Sequence, residues 1–124
     1  LKSVISQLHT LQIGDSLGYN RGYIANHITK TATIPVGHAD GINRIYGKGK
    51  GFVFINGKKA PIIGNVCMDM ILVDVTEISC QEGDEVIVFD KTHTAETLAE
   101  SAGTISYELI TSMAHRIKRI YLED

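Results

Sequence analysis

Tyr19 and Tyr23 lie on a glycine-broken turn, LGYNRGY (17–23), and IPVGHADGINR (34–44) follows, an apolar run that ends in a glycine-rich polar loop. A phenol on a turn and a loop backbone close behind it are groups that a small substrate can meet. The first can exchange a proton and the second offers fixed amide donors. A structural tyrosine more often sits inside an uninterrupted apolar run, so the turn sets Tyr19 apart without fixing its role. His38 beside Asp40 is a candidate proton-transfer pair, and the plainer reading is that two polar residues in a glycine loop cap backbone groups. GKGKG (47–51) is glycine-rich like a phosphate cradle, but it leads into a strand rather than a helix, which favours an exposed loop. The chain has no nucleophile elbow, no phosphate loop of the usual spacing, no metal-binding histidine pair and no lysine in an apolar setting. If it takes part in catalysis, it supplies part of a site that something else completes.

The elements that must hold these residues are mostly strands. Residues 3–13 mix β-branched and polar side chains without helical spacing and close on Gly14-Asp15, which predicts one strand. ITKTATIPV (28–36) predicts another, with Pro35 near its end because proline lacks the amide donor. Residues 37–41 and 46–51 read as loops. FVFI (52–55) and KKAPII (58–63) flank Asn56-Gly57, the pair that best tolerates positive φ, and so predict a type I′ hairpin with Pro61 at an edge or bulge. VCMDMILVDV (66–75) predicts a strand with Cys67, Asp69, Ile71, Val73 and Val75 on one face, and a carboxylate on that apolar face needs a partner. Residues 85–89 predict a further strand. Ala95, Leu98, Ala99 and Ala102 fall at helical spacing between a Thr94 cap and a Gly103 stop. A second short helix is expected at 106–113 and a terminal strand at 116–122. The sum is an all-β fold, a barrel or sandwich of about seven to eight strands, with two short helices near the C-terminus.

The bulk properties limit the options further. A chain of 124 residues, 44% hydrophobic, suits one core, so residues 1–124 are read as a single domain. A formal charge of −2 points to neither nucleic acid nor an anionic membrane. No apolar run approaches the roughly 20 residues of a spanning helix, and no secretory signal is evident, so the expected location is the cytoplasm. Cys67 and Cys80 fit no metal spacing and read as free thiols, with burial in its strand the expected role of Cys67. The opening at Leu1, directly into strand-like sequence, suggests a piece of a longer polypeptide.

Several segments resemble the C-terminal β domain of alanine racemases. LGYNRGYIA is similar to that family's VxYGxTYxA-like turn, and TIPVGHADGINR to its IPIGYADGxxR. The hairpin and VCMDM are similar to its G(R/N)(I/V)CMDQ region, and TISYELITSMAHRIKRIY to its tail. The resemblance runs along essentially the whole chain, in order and with spacing kept. It is nearest to the version fused behind a cell-wall tripeptide ligase that adds D-alanyl-D-alanine.

The resemblance implies a pyridoxal 5′-phosphate enzyme that interconverts L- and D-alanine for peptidoglycan. It implies that Tyr19 is the catalytic tyrosine that removes or returns the α-proton on one face of the substrate. The lysine that anchors the cofactor serves the other face and belongs to an N-terminal α/β barrel not present here. Met68 corresponds to the residue whose backbone amide holds the substrate carboxylate, Asp69 to the acid beside it, and His38 to a position at the entrance of the site. His115 corresponds to a residue that reaches the cofactor phosphate. The implied partners are alanine, the barrel of the same chain and that of a second protomer in a homodimer. Where this chain has His38 and His115 the family usually has tyrosine, and Asn20 and Arg21 replace small residues of the turn. A non-catalytic β module for dimerisation or partner binding is a competing expectation, and an amino acid decarboxylase of related architecture a third. The isolated domain is expected to be inactive.

Overall fold

The computed structural model describes residues 1–17, 23–89 and 94–103. A seven-stranded antiparallel sheet dominates, in the order β1-β9-β6-β7-β8-β5-β2, with β3 and β4 forming a separate two-stranded ribbon. The strands are β1 Lys2–Val4, β2 Gln7–Leu11, β3 Ser16–Leu17, β4 Tyr23–Ile24, β5 Thr29–Ile34, β6 Phe52–Ile55, β7 Lys58–Ile63, β8 Ile71–Asp74 and β9 Glu85–Ile87. One helix, α1 Ala95–Ser101, lies among the described residues. The all-β expectation holds. The second helix and the terminal strand, expected at 106–113 and 116–122, lie outside the described residues.

The single strand expected over 3–13 is two strands, because the chain bends at Ile5 and Ser6 and changes partner. Before the bend β1 pairs with β9, and after it β2 pairs with β5. The Ile5 amide donates to Asp84 at 3.0 Å, while the Ser6 amide donates to Thr33 at 2.9 Å. β1 and β2 are the two edges of the sheet, yet Val4 and Gln7 are at most about 11 Å apart along the chain. The edges therefore meet at this corner, and the sheet is curled into a half-barrel.

The concave side is filled by Ile5, Ile34, Val53, Ile55, Ile71 and Val86, each almost wholly buried. Each such side chain contributes roughly 1.5–3 kcal/mol when taken from water. Thr29 and Thr31 are also fully buried in β5. Thr29 Oγ1 donates to the His27 carbonyl at 3.0 Å, which offsets the cost of enclosing its hydroxyl.

The hairpin forms as expected, with φ of 51° at Asn56 and 79° at Gly57 and Phe52 opposite Pro61. Pro61, however, is in an interior strand. Pairing of β7 with β8 begins only at Ile62, opposite Val73, so the missing amide of Pro61 deprives no partner. The helix is capped by Thr94, whose side chain accepts from the Thr97 amide at 3.2 Å, and it is followed by Gly103 at φ 75°. Leu98 and Ala99 are buried.

The strand expected over 66–75 is shorter, since only Ile71–Asp74 pairs. Ile71, Val73 and Val75 are buried as the alternation requires. Residues 67–70 instead turn back, with the Cys67 amide donating to Met70 at 3.1 Å. Asp69 is consequently exposed rather than set on an apolar face. Cys67 is half-buried on this turn and not enclosed within a strand, and both cysteines are free thiols.

Candidate functional site

β5 and β8 are neighbours, and Ile34 opposite Ile71 is the last pair of their ladder. The segment after Ile34 and the segment before Ile71 therefore leave the sheet side by side. Each is held down by apolar anchors, Val36 and Ile42 for the first, Val66 and Ile71 for the second. Between the anchors the two backbones are laced together. The His38 amide donates to the Cys67 carbonyl at 2.8 Å and the Ala39 amide to the Met68 carbonyl at 2.7 Å.

Gly37 makes this approach possible. A Cβ on Gly37 would lie 2.5 Å from the Cys67 oxygen, 2.5 Å from the Met70 nitrogen and 2.9 Å from the Asp69 carbonyl carbon. These are backbone atoms that no rotamer change can move. Residues His38–Asp40 form a single 3-10 turn, closed by Gly41 at φ 105°. Asp40 is 2% exposed, and its Oδ2 accepts from the Gly37 amide at 2.9 Å. It closes the turn by reaching back to the N-cap amide, as the acid at the third position of a capping box does. His38 points outward and shares no hydrogen bond with Asp40, so the proton-transfer pair is not formed and the capping reading is the right one.

The structure thus brings together His38, Met68 and Asp69, from segments about thirty residues apart, on one open face. Met68 is 60% exposed and Met70 38% exposed. Among the described residues, the Met68 amide donates to no backbone acceptor. A backbone N–H without a backbone partner, beside an exposed histidine, is a donor that a small anion such as a carboxylate could use. Tyr19 and His115 lie outside the described residues. The ribbon that flanks Tyr19 leaves the β2–β5 ladder at its Leu11–Thr29 end, whereas the two loops leave β5 at its Ile34 end.

Other candidates drop away. The amides of 47–51 are all used internally, among them Lys48 to Gly64 and Gly49 to Ile62, both at 2.7 Å, so GKGKG has no free backbone donors to cradle a phosphate. Cys80 sits in a polar cleft with Asn56, Gln81 and Asp84. Burial raises its thiol pKa, with Lys30 pulling it down and Asp84 adding to the rise, the opposite of an activated thiolate. Among the described residues no group of three or more histidine, cysteine or acidic side chains could hold a metal, and no helix is long and apolar enough to cross a membrane.

Sequence reasoning favoured a capping role for Asp40 but passed over Gly37, whose amide is the group capped. The available signal was a glycine set directly after Pro35-Val36 at a strand end, where the chain has to turn against whatever lies beside it.

The fold and these loops define a class of protein: a curled antiparallel β module with two interlocked, exposed loops at one end of its sheet. The family model for the alanine racemase C-terminal domain matches residues 1–121, and the chain belongs to that family. It is 39% identical to alanine racemase 1 of Clostridium acetobutylicum over 129 aligned residues, covering 100% of this chain and 33% of that protein. It is 42% identical to the alanine racemase of Halothermothrix orenii, covering 97% of this chain and 33% of that one. The crystal structure of alanine racemase from Bartonella henselae with covalently bound pyridoxal phosphate superposes with a TM-score of 0.91 at 35% identity, covering 98% of this chain and 34% of that structure. The chain spans about a third of the length of the relatives it matches.

Proposed function

We propose that the longer protein carrying this chain is a pyridoxal-phosphate-dependent alanine racemase, interconverting L- and D-alanine for peptidoglycan in the cytoplasm as a homodimer. The observation that carries the reading is the interlocked pair of loops, 37–41 and 67–70, which presents an unengaged Met68 amide beside His38 and Asp69 in a chain of this family.

The cofactor fits this chain as a group held mainly from outside it. Every lysine among the described residues is exposed, unlike the desolvated setting of an anchoring lysine. On this reading the anchor belongs to an N-terminal barrel, and from this chain His115 would donate to the phosphate. When bound, pyridoxal phosphate supplies an electron sink that stabilises negative charge at the substrate α-carbon.

The chain's own residues then have distinct tasks. The Met68 amide holds the substrate carboxylate, and as a backbone donor it loses no rotamer freedom in doing so. Asp69 stands at the edge of that contact and His38 at the entrance. Tyr19 takes or returns the α-proton on one face, across the subunit boundary. An unperturbed phenol titrates near 10, and bringing one to 7 means favouring the phenolate by about 4 kcal/mol. Cationic neighbours must supply this, Arg21 from this chain and chiefly the barrel.

The test is chiral analysis of alanine incubated with the full-length protein and with its Tyr19→Phe variant. Racemisation is expected to fall by about a hundredfold or more with the cofactor absorbance retained. Unchanged turnover in the variant, or no racemisation by the parent, would refute the reading.

A further inference from the structure

Resting on the racemase reading, the geometry points to Gly37 and Asp40 as positioning residues that set where the Met68 amide stands relative to His38. Neither touches the substrate. Asp40 folds the 37–41 turn from beneath, through its bond to the Gly37 amide at 2.9 Å. Gly37 then lets the 67–70 turn seat against it, where any side chain would collide with three backbone atoms. Two cross-bonds, from the His38 and Ala39 amides to the Cys67 and Met68 carbonyls, transmit the position of one turn to the other.

The consequence is asymmetric. The Cys67 carbonyl, which shares one rigid peptide unit with the Met68 amide, is tied to the 37–41 turn by the His38 amide, so anything that lifts one turn from the other also moves the Met68 N–H. A shift of even a few tenths of an ångström misaims a single directional donor. Proton transfer at the α-carbon depends on groups outside these turns. Loosening the contact therefore weakens hold on the carboxylate more than it slows turnover. The burial of Asp40 at 2% exposed, in a turn whose neighbours His38 and Ala39 face solvent, is what this role demands. A solvent-facing carboxylate at the same position could not brace the turn from inside.

The test uses the full-length protein with Gly37→Ala, Asp40→Ala and Asp40→Asn. In Gly37→Ala and Asp40→Ala the KM for alanine and the inhibition constant of acetate, a bare carboxylate, should each rise about tenfold, with kcat changing much less. Asp40→Asn, which keeps an acceptor for the Gly37 amide, should recover most of the loss seen with Asp40→Ala. Hydrogen exchange over residues 66–70 should rise in the first two variants and return towards the parent rate in the third, whether or not the protein racemises alanine. If Asp40→Ala does not accumulate as folded protein, Asp40→Glu, which shifts the acceptor by one methylene, replaces it in the same comparison. Unchanged acetate inhibition and unchanged exchange in folded Gly37→Ala would overturn the inference. Absence of racemisation by the parent would overturn the functional reading instead, leaving the exchange data to decide this one.

Discussion

Gly37 and Gly57 are both glycines for reasons that have nothing in common. Gly57 has φ 79° and open space around its missing Cβ, so its requirement is purely conformational. Gly37 has extended backbone and no space at all. The first kind is legible in sequence, because Asn-Gly between two apolar runs announces a turn that needs positive φ. The second kind is not, because the colliding atoms come from a segment thirty residues further on. Gly57→Ala should therefore destabilise the β6–β7 hairpin by about 1 kcal/mol. In the full-length protein, hydrogen exchange across β6 and β7 reads this, with the 66–70 segment unaffected. The reading of Asp69 failed for the same nonlocal reason. VCMDM alternates well enough for a strand, but its carbonyls are claimed by the amides of His38 and Ala39 and not by a neighbouring strand.

Among the elements, those with local punctuation were the ones correctly bounded. The hairpin begins and ends where Asn56-Gly57 requires, and α1 runs from its Thr94 cap to just before Gly103. The bend that splits residues 3–13 into β1 and β2 has no glycine or proline to mark it. Its cause is the curl of the whole sheet, which requires one segment to serve both edges. Ile5 stands at that corner, 1% exposed, with its amide and carbonyl bonded to Asp84 and Gly83. Ile5→Ala should cost about 2–5 kcal/mol, because the cavity opens where two strand partnerships meet and the backbone there is held too firmly to collapse. Urea denaturation that showed no loss would mean that the corner is not a structural joint.

For the molecule as a whole, the two loops face outward from a well-filled core, and the residues they present include Met68 and Met70, large and apolar yet exposed. The same chain covers a third of its relatives' length. The order of the motifs along the sequence was enough to identify the family. The meeting of His38 with Met68 and Asp69 follows only from the pairing of β5 with β8, which no local pattern encodes. Under the proposed function these loops are one side of a site, and Tyr19 completes it across a subunit boundary.

Subunit complementation tests this most directly. Full-length protein carrying Tyr19→Phe, and full-length protein lacking the cofactor-anchoring lysine of the barrel, should each be nearly inactive alone. If the tyrosine acts across the interface, co-refolded subunits give mixed dimers in which one of the two sites is intact, and roughly a quarter of the parent activity should return, given random pairing about a twofold axis. If the mixture stays as inactive as either variant alone, although mixed dimers have formed, the tyrosine does not act across the interface.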